Sequence, residues 1–412
     1  MTNESLSYTI NPEDVSAEAR SIVLTLQQAG FQAFIVGGGV RDLLLKLKPK
    51  DFDIATNARP EQIRQIFRNS RLIGRRFRIA HIYFSRSIIE VSTFRADHTE
   101  ATKDDEAQIR EDGLILRDNV FGTLEQDARR RDFTVNSLYY DPSRNEIFDY
   151  CDSFNDFRDQ KIRMIGDPDF RLQEDPIRLL RAIRFANKLG FSIEASTEAA
   201  FANKVSLLQF IPAGRRFDEY TKLFLHGQAE QNFHSLLKYE ALKYLFPGIQ
   251  TSLDDPRATA FILESVKNTD LRVREGKTIN PSFLIATFLW KYVIEKKAQI
   301  LLKRSIHEIL AINEAILSVM SEQVQQTSMP KRLSQNVIEI WDMQYFLERR
   351  RPRQMLRMLT HPRFRAAYDF LMMRSLVEPI PAELLTWWTE IQTLPLEAQK
   401  KMIQKLPAHS KK

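Results

Sequence analysis

The pattern of apolar and polar positions divides the chain into two parts of different character. Over the first 150 residues, short apolar runs alternate with segments of helical spacing, and glycine and proline separate them. The runs predict strands at 31–36, 52–55, 78–84, 87–94 and 133–140. This part is predicted to be an α+β domain with flanking helices and a mixed five-stranded sheet, completed by a short apolar segment at 146–149.

Helical spacing dominates the chain from Asp175 onward, which predicts an all-α region after the α+β domain. Ser305, followed three residues later by Glu308, has the pattern of a capping box and predicts a helix over 305–324. The charged segment 97–119 has few large apolar residues, and we expect it to be a mobile loop.

Composition agrees with a soluble globular protein of more than one domain. Apolar residues make up 43% of the 412 residues and charged residues 27%. Cys151 is the only cysteine, which excludes an internal disulfide framework and predicts a reducing, cytoplasmic environment. The first twenty residues are polar and no long apolar run occurs, so we expect neither a secretory signal nor a membrane span.

Positive charge is concentrated at one end of the sequence. The formal net charge is +7, and residues 331–412 hold fifteen Lys and Arg against eight Asp and Glu. The preceding residues are balanced, so the whole excess lies in the last fifth of the chain. This distribution is typical of a polyanion-binding element joined to a neutral body, and a solvated helical face is an equal alternative.

A glycine run followed by two spaced aspartates carries the clearest chemical signal. Gly37, Gly38 and Gly39 follow an apolar strand, and Asp51 and Asp53 lie two residues apart on the next one. Side chains at i and i+2 of a strand point to one face, so both carboxylates can reach one metal site. A glycine turn at a helix start offers backbone N–H groups to an anion. A lone Asp-x-Asp is more often a loop or capping pair, but with the glycine run we predict metal-assisted nucleotidyl transfer.

A third carboxylate is expected on a neighbouring strand. Glu90 is the best candidate, because an ionised group within the apolar run 88–91 requires a partner. We therefore expect Asp51, Asp53 and Glu90 to form the catalytic group, with Asp51 and Asp53 as metal ligands beside waters that Mg²⁺ retains.

These residues resemble the signature of a known family. The segments 37–42 (Gly-Gly-Gly-Val-Arg-Asp) and 51–53 (Asp-Phe-Asp) are similar to the first motif of class II nucleotidyltransferases, the bacterial CCA-adding enzymes and poly(A) polymerases. The segments 130–136 (Arg-Arg-Asp-Phe-Thr-Val-Asn) and 174–185 (beginning Glu-Asp-Pro-Ile-Arg) resemble further motifs in the family's order. The resemblance implies a polymerase-β-like nucleotidyltransferase head followed by an all-α neck, body and C-terminal region.

The resemblance also implies three domains and a set of site residues. It implies a catalytic head at 1–150, a neck for base recognition and RNA binding at 151–250, and a body with a basic RNA-binding region at 251–412. Mg²⁺, with Mn²⁺ as the alternative, is the implied cofactor and ATP the implied substrate. The residues implied to bind phosphates and ribose are Gly37, Gly38, Arg41, Arg130, Arg131, Asp132 and Asn136. Those implied in base recognition are Asp175, Arg178, Arg181, Arg184 and Arg215.

Asp175 and Arg178 have two interpretations from chemistry alone. A carboxylate accepts and a guanidinium donates, so side by side they complement the Watson–Crick edge of adenine. Asp before a proline-led helix is also a favourable N-cap, and an Asp–Arg pair three residues apart stabilises a helix. The resemblance favours base reading, and the two roles are compatible.

Two basic segments resemble the poly(A) polymerases more than the CCA-adding enzymes. The first contains Arg75, Arg76 and Arg78, which would contact an RNA backbone. The second contains Arg349, Arg350, Arg351, Arg353, Arg363 and Arg365. Phe364 and Tyr368 lie among these arginines and would either stack on bases or pack in a core.

The resemblance thus implies template-independent addition of AMP from ATP to RNA 3′ ends, with release of pyrophosphate and a role in RNA turnover. It also implies RNA-decay or RNA-chaperone proteins as partners. A CCA-adding tRNA nucleotidyltransferase is one alternative, and a non-catalytic RNA-binding adaptor is another. The pair Asp51 and Asp53 argues against the adaptor, because neighbouring carboxylates repel each other unless a cation lies between them.

Overall fold

The structure, a computed structural model, describes residues 8–74, 78–85, 87–96, 106–109 and 115–406, without the side chains of 106–109, 115–119 and Arg353. The chain separates into two compact units, which divide between Leu207 and Leu208. The first unit contains the strands, and the described part of the second is helical. The predicted order, an α+β region followed by an all-α region, is confirmed.

The strands of the first unit form one large sheet and two small ones. In the described residues the strands are β1 Ala33–Val36, β2 Asp53–Thr56, β3 Ser70–Ile73, β4 Ile79–Tyr83, β5 Ile88–Thr93, β6 Glu106–Ile109, β7 Ile115–Asn119, β8 Tyr139–Asp141, β9 Glu146–Phe148, β10 Lys161–Ile162 and β11 Ser192–Ile193. The large sheet has the order β3-β4-β5-β2-β1-β8-β9. Its neighbours pair antiparallel except β2 and β5, which are parallel.

The mixed sheet is confirmed, but it has seven strands where five were predicted. Ser70–Ile73 adds an edge strand, and the short segment after residue 145 forms a strand of its own, β9. The predicted strand 133–140 is mostly a turn, because Thr134–Asn136 is a 3-10 helix and only Tyr139 onward pairs within the large sheet. Buried hydroxyls stabilise that turn: Ser137 Oγ donates to the Thr134 carbonyl oxygen at 2.8 Å.

The segment 97–119 is not a structureless loop throughout, so that prediction is wrong in part. β6 and β7 pair antiparallel within it, while residues 97–105 and 110–114 lie outside the described residues. A two-stranded pair is held by backbone hydrogen bonds and needs no large apolar face, so composition gives little sign of it.

Helices and an aromatic core complete the first unit. The helices are α1 Ala17–Gln28, α2 Gly38–Leu44, α3 Pro60–Ile66, α4 Leu124–Arg130, α5 Ser153–Arg158, α6 Pro168–Glu174, α7 Ile177–Leu189 and α8 Ala195–Lys204. Phe34, Phe94 and Tyr139 meet in one buried cluster, with ring centroids 6.2–6.5 Å apart. This cluster fixes β1 against its antiparallel neighbour β8, the strand that follows the turn ending at Asn136.

The second unit consists of helices and short turns in its described part. The helices are α9 Ala213–Phe224, α10 Ala229–Lys238, α11 Ile249–Leu253, α12 Pro256–Arg274, α13 Pro281–Lys303, α14 Glu308–Thr327, α15 Lys331–Arg349, α16 Pro352–Leu359, α17 Phe364–Arg374, α18 Ala382–Ile391 and α19 Leu396–Gln404. The predicted cap at Ser305 is wrong. α14 begins two residues later than the capping box requires, with His307 as N-cap, whose Nδ1 accepts the N–H of Ile309 at 3.2 Å.

Aromatic packing supplies much of the core of the second unit. The buried Phe288 ring lies 4.8–5.8 Å from the ring centroids of Phe224, Phe233 and Phe246. Farther along the chain, Trp388 is buried and donates its Nε1–H to the Leu347 carbonyl oxygen at 2.9 Å. Across the parts of the chain that the structure describes, no helix combines the length and apolarity that crossing a membrane requires.

Replacement of Phe288 by alanine should destabilise the second unit by about 3–5 kcal/mol, because three aromatic neighbours would line the resulting cavity. Denaturant unfolding followed by circular dichroism measures the change. Phe210→Ala is the matched control, since the Phe210 side chain is 64% exposed. An equal effect of the two substitutions would contradict the described packing.

Candidate active site

Three carboxylates come together at the centre of the large sheet. Asp53 is opposite Glu90 on the parallel strand β5 and opposite Val36 on β1. Asp51 lies in the connection that leads into β2, rather than within the strand as predicted. Strand register therefore places Asp53 beside Glu90, and the preceding connection brings in Asp51.

The surroundings of Asp53 disfavour the charged form of its carboxyl. The pKa of its carboxyl is raised from 3.8 to about 6. Desolvation by the surrounding protein contributes most, the charges of Glu90 and Asp51 add to it, and Arg131 opposes it. Asp53 nevertheless lies at the exposed end of β2, so a cation from solution can reach the carboxylate and relieve the repulsion.

Glu90 has a partner that the sequence did not reveal. Its side chain is 50% exposed, and Oε1 lies 3.3 Å from Nε2 of His81, the opposite residue on β4. The premise that Glu90 is enclosed by an apolar strand is therefore wrong, because Ile89 and Val91 point to the other, buried face. Its place next to Asp53 rests on the strand register instead.

The carboxylate oxygens of the site suit a hard divalent cation, but they do not surround the ion with protein ligands alone. Within the described ranges, no three or more His, Cys, Asp and Glu side chains are gathered closely enough to hold a metal ion. Mg²⁺ does not need such a cage, because it binds through one or two carboxylates and completes its shell with water and substrate phosphates. Asp51 and Asp53 offer two carboxylates at an exposed position.

The glycine run is required by close packing on two sides. Gly37 has a φ of +68°, and a Cβ there would lie 3.0 Å from the Arg131 guanidinium. A Cβ on Gly39 would lie 3.3 Å from the Asp51 carbonyl oxygen and 3.1 Å from the Phe52 ring. Glycine therefore lets α2 begin directly against the segment that carries the first aspartate.

The amides of the run are not all available to an anion. The Gly37 N–H donates to the Leu138 carbonyl oxygen at 3.2 Å, so the expectation of a bare amide at this residue is wrong. Gly38 and Gly39 form the start of α2, and N–H groups in a first helical turn have no acceptor within the helix. These two residues are the better candidates for contact with phosphate.

Arg131 is held beneath the glycine run by buried polar groups. Its Nε donates to the Tyr139 hydroxyl at 2.9 Å, and its Nη2 lies 3.3 Å from Asp127 Oδ2. The Tyr139 hydroxyl in turn donates to Asp127, and burial raises the pKa of this hydroxyl well above its ordinary value. The guanidinium is thus fixed in position, and its side chain remains 23% exposed.

Arg41 and Asn136, both implied to bind substrate, are bonded to each other. Arg41 Nη1 donates to Asn136 Oδ1 at 2.7 Å, and its Nη2 donates to Asp42 at 2.6 Å. Arg41 is 3% exposed and Asn136 is also buried. Asn136 Nδ2 donates onward to Asp132 Oδ1 at 3.1 Å. These side chains therefore support the site from beneath.

Asp132 joins two of the motifs that the sequence separates. Its Oδ2 accepts from Arg181 Nε on α7 at 2.7 Å. Burial opposes the charge of Asp132, yet the Arg181 guanidinium and the Asn136 amide hold the pKa of this carboxyl below its ordinary value. The segments 130–136 and 174–185 are thus linked by a charged hydrogen bond.

Arg178 is oriented by acceptors around the junction of α6 and α7. Its Nη1 donates to Glu174 Oε2 and to the Arg171 carbonyl oxygen, both at 2.6 Å. Asp175 is the C-cap of α6, and the N-cap of α7 is Pro176, which makes no side-chain capping bond. The helix-cap alternative for Asp175 therefore gains no support from the start of α7.

The remaining candidates for nucleotide binding lie in both units. Arg130 ends α4, and its carbonyl oxygen accepts from Arg171 Nη2 at 2.5 Å. Arg184 is on α7, with its guanidinium carbon 4.2 Å from the ring centroid of Phe185. Arg215 belongs to α9 in the second unit, whereas the other base-recognition candidates belong to the first.

The basic segment of the head is described only in part. Arg78 forms an exposed ion pair with Glu61, with 2.9 Å between Nη1 and Oε1. Arg75 and Arg76 lie outside the described residues. An exposed pair of this kind contributes little to stability, so the Arg78 side chain can exchange its partner for a phosphate.

Aromatic rings accompany the first arginines of the C-terminal region. The guanidinium carbon of Arg349 lies 4.1 Å from the Tyr345 ring centroid, and Arg351 Nη2 donates to the Tyr345 hydroxyl at 3.3 Å. Arg350 ends α15 with a φ of 44°, and its guanidinium carbon lies 5.7 Å from the Trp387 ring centroid. These contacts arrange the three guanidinium groups around two aromatic side chains.

The later arginines have acidic neighbours on the same or an adjacent helix. Arg363 Nε lies 3.8 Å from Glu339, and Arg365 Nε lies 2.9 Å from Asp369. The Arg365 side chain is largely exposed. The side chain of Arg353 is outside the described part of the chain.

Phe364 and Tyr368 pack in the core, so their interpretation as base-stacking residues is wrong. Both are buried, with Phe364 5.5 Å from the Trp388 ring centroid and its ring stacked on Tyr368 at 6.4 Å. The Tyr368 hydroxyl is also bonded to Thr389 at 2.6 Å. The alternative of i,i+4 core contacts is confirmed.

The sequence did not reveal the residues that hold the candidate site in place. Asp127 and Tyr139 fix Arg131, and His81 contacts Glu90 across a strand pair. No local sequence pattern predicts these contacts, because they depend on strand register and helix packing. Arg171 had a detectable signal, because it lies three residues before Glu174, the spacing of a helical ion pair.

Three family models match the chain. The "Poly A polymerase head domain" matches residues 33–163, the "Probable RNA and SrmB- binding site of polymerase A" matches 190–253, and the "Polymerase A arginine-rich C-terminus" matches 304–412. Among solved structures, a "tRNA-processing enzyme (apo form I)" has a TM-score of 0.65 at 19% identity, covering 96% of this chain and 99% of that one. A tRNA nucleotidyltransferase, described as complexed with a primer tRNA and an incoming ATP analogue, has a TM-score of 0.60 at 20% identity, with 90% and 97% covered. These likenesses support the nucleotidyltransferase fold.

Curated relatives separate the two branches of that fold. The poly(A) polymerase I of Haemophilus influenzae is 44% identical over 96% of this chain and 89% of that protein. The poly(A) polymerase I of Escherichia coli O6:H1 is 41% identical over 97% of this chain and 87% of that protein. The CCA-adding enzyme of Lactobacillus helveticus is 36% identical over 54% of each chain. The chain therefore belongs to the bacterial poly(A) polymerase I family of nucleotidyltransferases.

Proposed function

We propose that the enzyme adds AMP from ATP to RNA 3′ ends without a template, releasing pyrophosphate, and that Asp51 and Asp53 are its catalytic carboxylates. The register that places Asp53 beside Glu90, two residues after Asp51, carries the assignment of the site. Desolvation, and then the charges of Glu90 and Asp51, raise the pKa of the Asp53 carboxyl, and a bound cation would offset both effects. The near full-length likeness to poly(A) polymerases favours polyadenylation over CCA addition.

Mg²⁺ is the proposed metal, with Mn²⁺ as the alternative, and Asp51 and Asp53 would hold it. When bound, divalent ions lower the pKa of the primer 3′-hydroxyl and neutralise the triphosphate, so no side-chain base is required. Glu90, opposite Asp53 and 3.3 Å from His81, is the proposed third carboxylate of the site.

The nucleotide would lie between the start of α2 and the start of α7. We assign phosphate contact to Gly38, Arg130 and Arg131, because Arg131 is rigidly held and remains partly exposed. Gly37 and Arg41 would act by fixing the turn and its neighbours. Asp132 and Asn136 are proposed to orient the ribose, and the bond from Asn136 Nδ2 to Asp132 Oδ1 holds the two side chains together.

Asp175 and Arg178 are the proposed readers of adenine. Arg178 Nη1 donates to Glu174 and to the Arg171 carbonyl oxygen, which fixes this nitrogen in place. The guanidinium has further N–H donors besides those on Nη1. Arg181, Arg184 and Arg215 are proposed to assist base recognition. A guanidinium held at one end presents its remaining donors in a defined direction, and this suits discrimination between bases.

RNA binding is assigned to basic side chains of both units. The candidates are Arg75, Arg76, Arg78, Arg349, Arg350, Arg351, Arg353, Arg363 and Arg365. The proposal includes three domains: a catalytic head at 1–150, a neck for base recognition and RNA binding at 151–250, and a body with a basic RNA-binding region at 251–412. It also includes a cytoplasmic location and RNA-decay or RNA-chaperone proteins as partners.

Asp53→Asn should abolish AMP transfer and leave the protein folded. It should also stabilise the metal-free protein at pH 7.5 by about 1 kcal/mol, after allowance for screening at this exposed site. A carboxyl whose folded pKa is raised favours folding at low pH and loses that contribution as pH rises through about 6. Primer extension and denaturant unfolding test the two effects, with Asp14→Asn as the control outside the site. Residual transfer near the wild-type rate would rule out the assignment.

Activity should fall as the pH is lowered through about 6, because a proton on Asp53 competes with the cation. With Mg²⁺ and ATP concentrations held constant, kcat/KM should decrease about tenfold per pH unit below that point. Circular dichroism at each pH verifies that the protein stays folded. A flat profile from pH 5 to 7 would contradict the role given to this carboxylate.

Extension of a tRNA that lacks its CCA end, with one nucleotide at a time, distinguishes the family's two activities. We expect long products with ATP alone and little incorporation of CTP. Two C residues followed by one A would identify a CCA-adding enzyme. Absence of transfer with every nucleotide, in the presence of Mg²⁺ and an RNA primer, would support a non-catalytic RNA-binding protein.

A further inference from the structure

Three arginine side chains converge on one phenylalanine in the first unit. The guanidinium carbons of Arg184, Arg41 and Arg181 lie 4.2, 5.1 and 5.3 Å from the ring centroid of Phe185. The Phe185 side chain is 7% exposed. A guanidinium within about 6 Å of a ring centroid is attracted by the negative face of the ring, and the attraction is stronger away from water.

These arginines come from the two ends of the candidate nucleotide site. Arg181 and Arg184 are on α7, the helix that also carries Arg178, and Arg181 lies one helical turn before Phe185. Arg41 is on α2, the helix that begins at the glycine run. Phe185 is therefore contacted by an arginine of α2, at the phosphate end of the site, and by two arginines of α7, at the base end.

The ring itself is held in place by Phe133, which belongs to the segment 130–136. Phe133 packs against Phe185 at 5.9 Å between ring centroids, with 76° between the ring planes. The Phe133 N–H donates to Asp132 Oδ1, and Asp132 is bonded to Arg181. A displacement of the ring would therefore disturb Asp132 and the arginines together.

Carboxylates pair with two of the three arginines in this cluster. Asp42 pairs with Arg41 and Lys188, and Asp132 pairs with Arg181. Neighbouring guanidinium groups repel one another, and their attraction to the ring opposes this separation.

We propose that Phe185 is a positioning residue that sets the selectivity of the enzyme for ATP by holding Arg41, Arg181 and Arg184 in one arrangement. It acts through the arginines and does not itself contact the nucleotide. The inference rests on the proposed function. Discrimination between bases requires donors at fixed positions, because an edge that is not matched leaves polar groups unpaired.

Two substitutions separate the electrostatic role of the ring from its packing. Phe185→Leu keeps an apolar side chain and removes the π face, whereas Phe185→Tyr keeps the π face. For Phe185→Leu we expect kcat/KM for ATP to fall about tenfold, mainly through KM, with a similar loss of preference for ATP over GTP, CTP and UTP. Phe185→Tyr should retain the wild-type preference within about twofold.

Phe191→Leu is the matched packing control. Phe191 is also buried in the first unit, packs edge-on against Phe157, and has no cation over its ring among the side chains that the structure describes. This variant should lose thermal stability and keep the nucleotide preference. The preference is a ratio of rates measured on one enzyme sample, so a lower folded fraction does not change it.

Single-nucleotide incorporation into an RNA primer, measured for all four nucleotides, tests the proposal. Wild-type preference in Phe185→Leu would overturn it, and so would an equal loss in Phe185→Leu and Phe185→Tyr. A wild-type protein that adds no A residues would overturn the proposed function instead, which keeps the two failures distinct.

Discussion

Electrostatic repulsion within the group Asp51, Asp53 and Glu90 is the constraint on which the candidate site depends. The strand register brings two of these carboxylates side by side, and the third precedes β2 by two residues. Desolvation contributes most to the raised pKa of the Asp53 carboxyl, about 6, and the charges of Glu90 and Asp51 add to it. Stability alone would favour dispersal of these charges. A cation bound at this exposed strand end would offset the repulsion between the carboxylates.

Polar groups behind the carboxylates hold the arginine side chains near the site in place. Arg131 is fixed by Asp127 and Tyr139, while Arg41 is connected through Asn136 to Asp132. Burying guanidinium groups is favourable only when their charges and donors are satisfied. The network meets this requirement and joins the helix after the glycine run to α7. This network is therefore one connected structure within the first unit, although its residues come from distant parts of the sequence.

The glycine run and the two aspartates could be predicted because their meaning is local. Glycine permits the close approach at Gly39, and a two-residue spacing keeps Asp51 and Asp53 near each other. The order of an α+β region and a helical region follows from hydrophobic periodicity for the same reason. Contacts between distant segments could not be predicted this way. Examples are the pairing of Glu90 with His81 and the satisfied amide of Gly37.

The structure also shows that some residues predicted to contact a ligand are buried. Phe364 and Tyr368 lie among arginines, yet both pack in the core, and Arg41 is buried although its motif suggested contact with phosphate. Periodicity identifies a helix but does not give the neighbours of each face. The titration of the Asp53 carboxyl, followed by NMR and assigned with Asp53→Asn, tests the central claim most directly. Metal-free protein should give a pKa of about 6, and Mg²⁺ with an ATP analogue should lower it below 3.8. A pKa of about 4 that Mg²⁺ does not change would contradict the account.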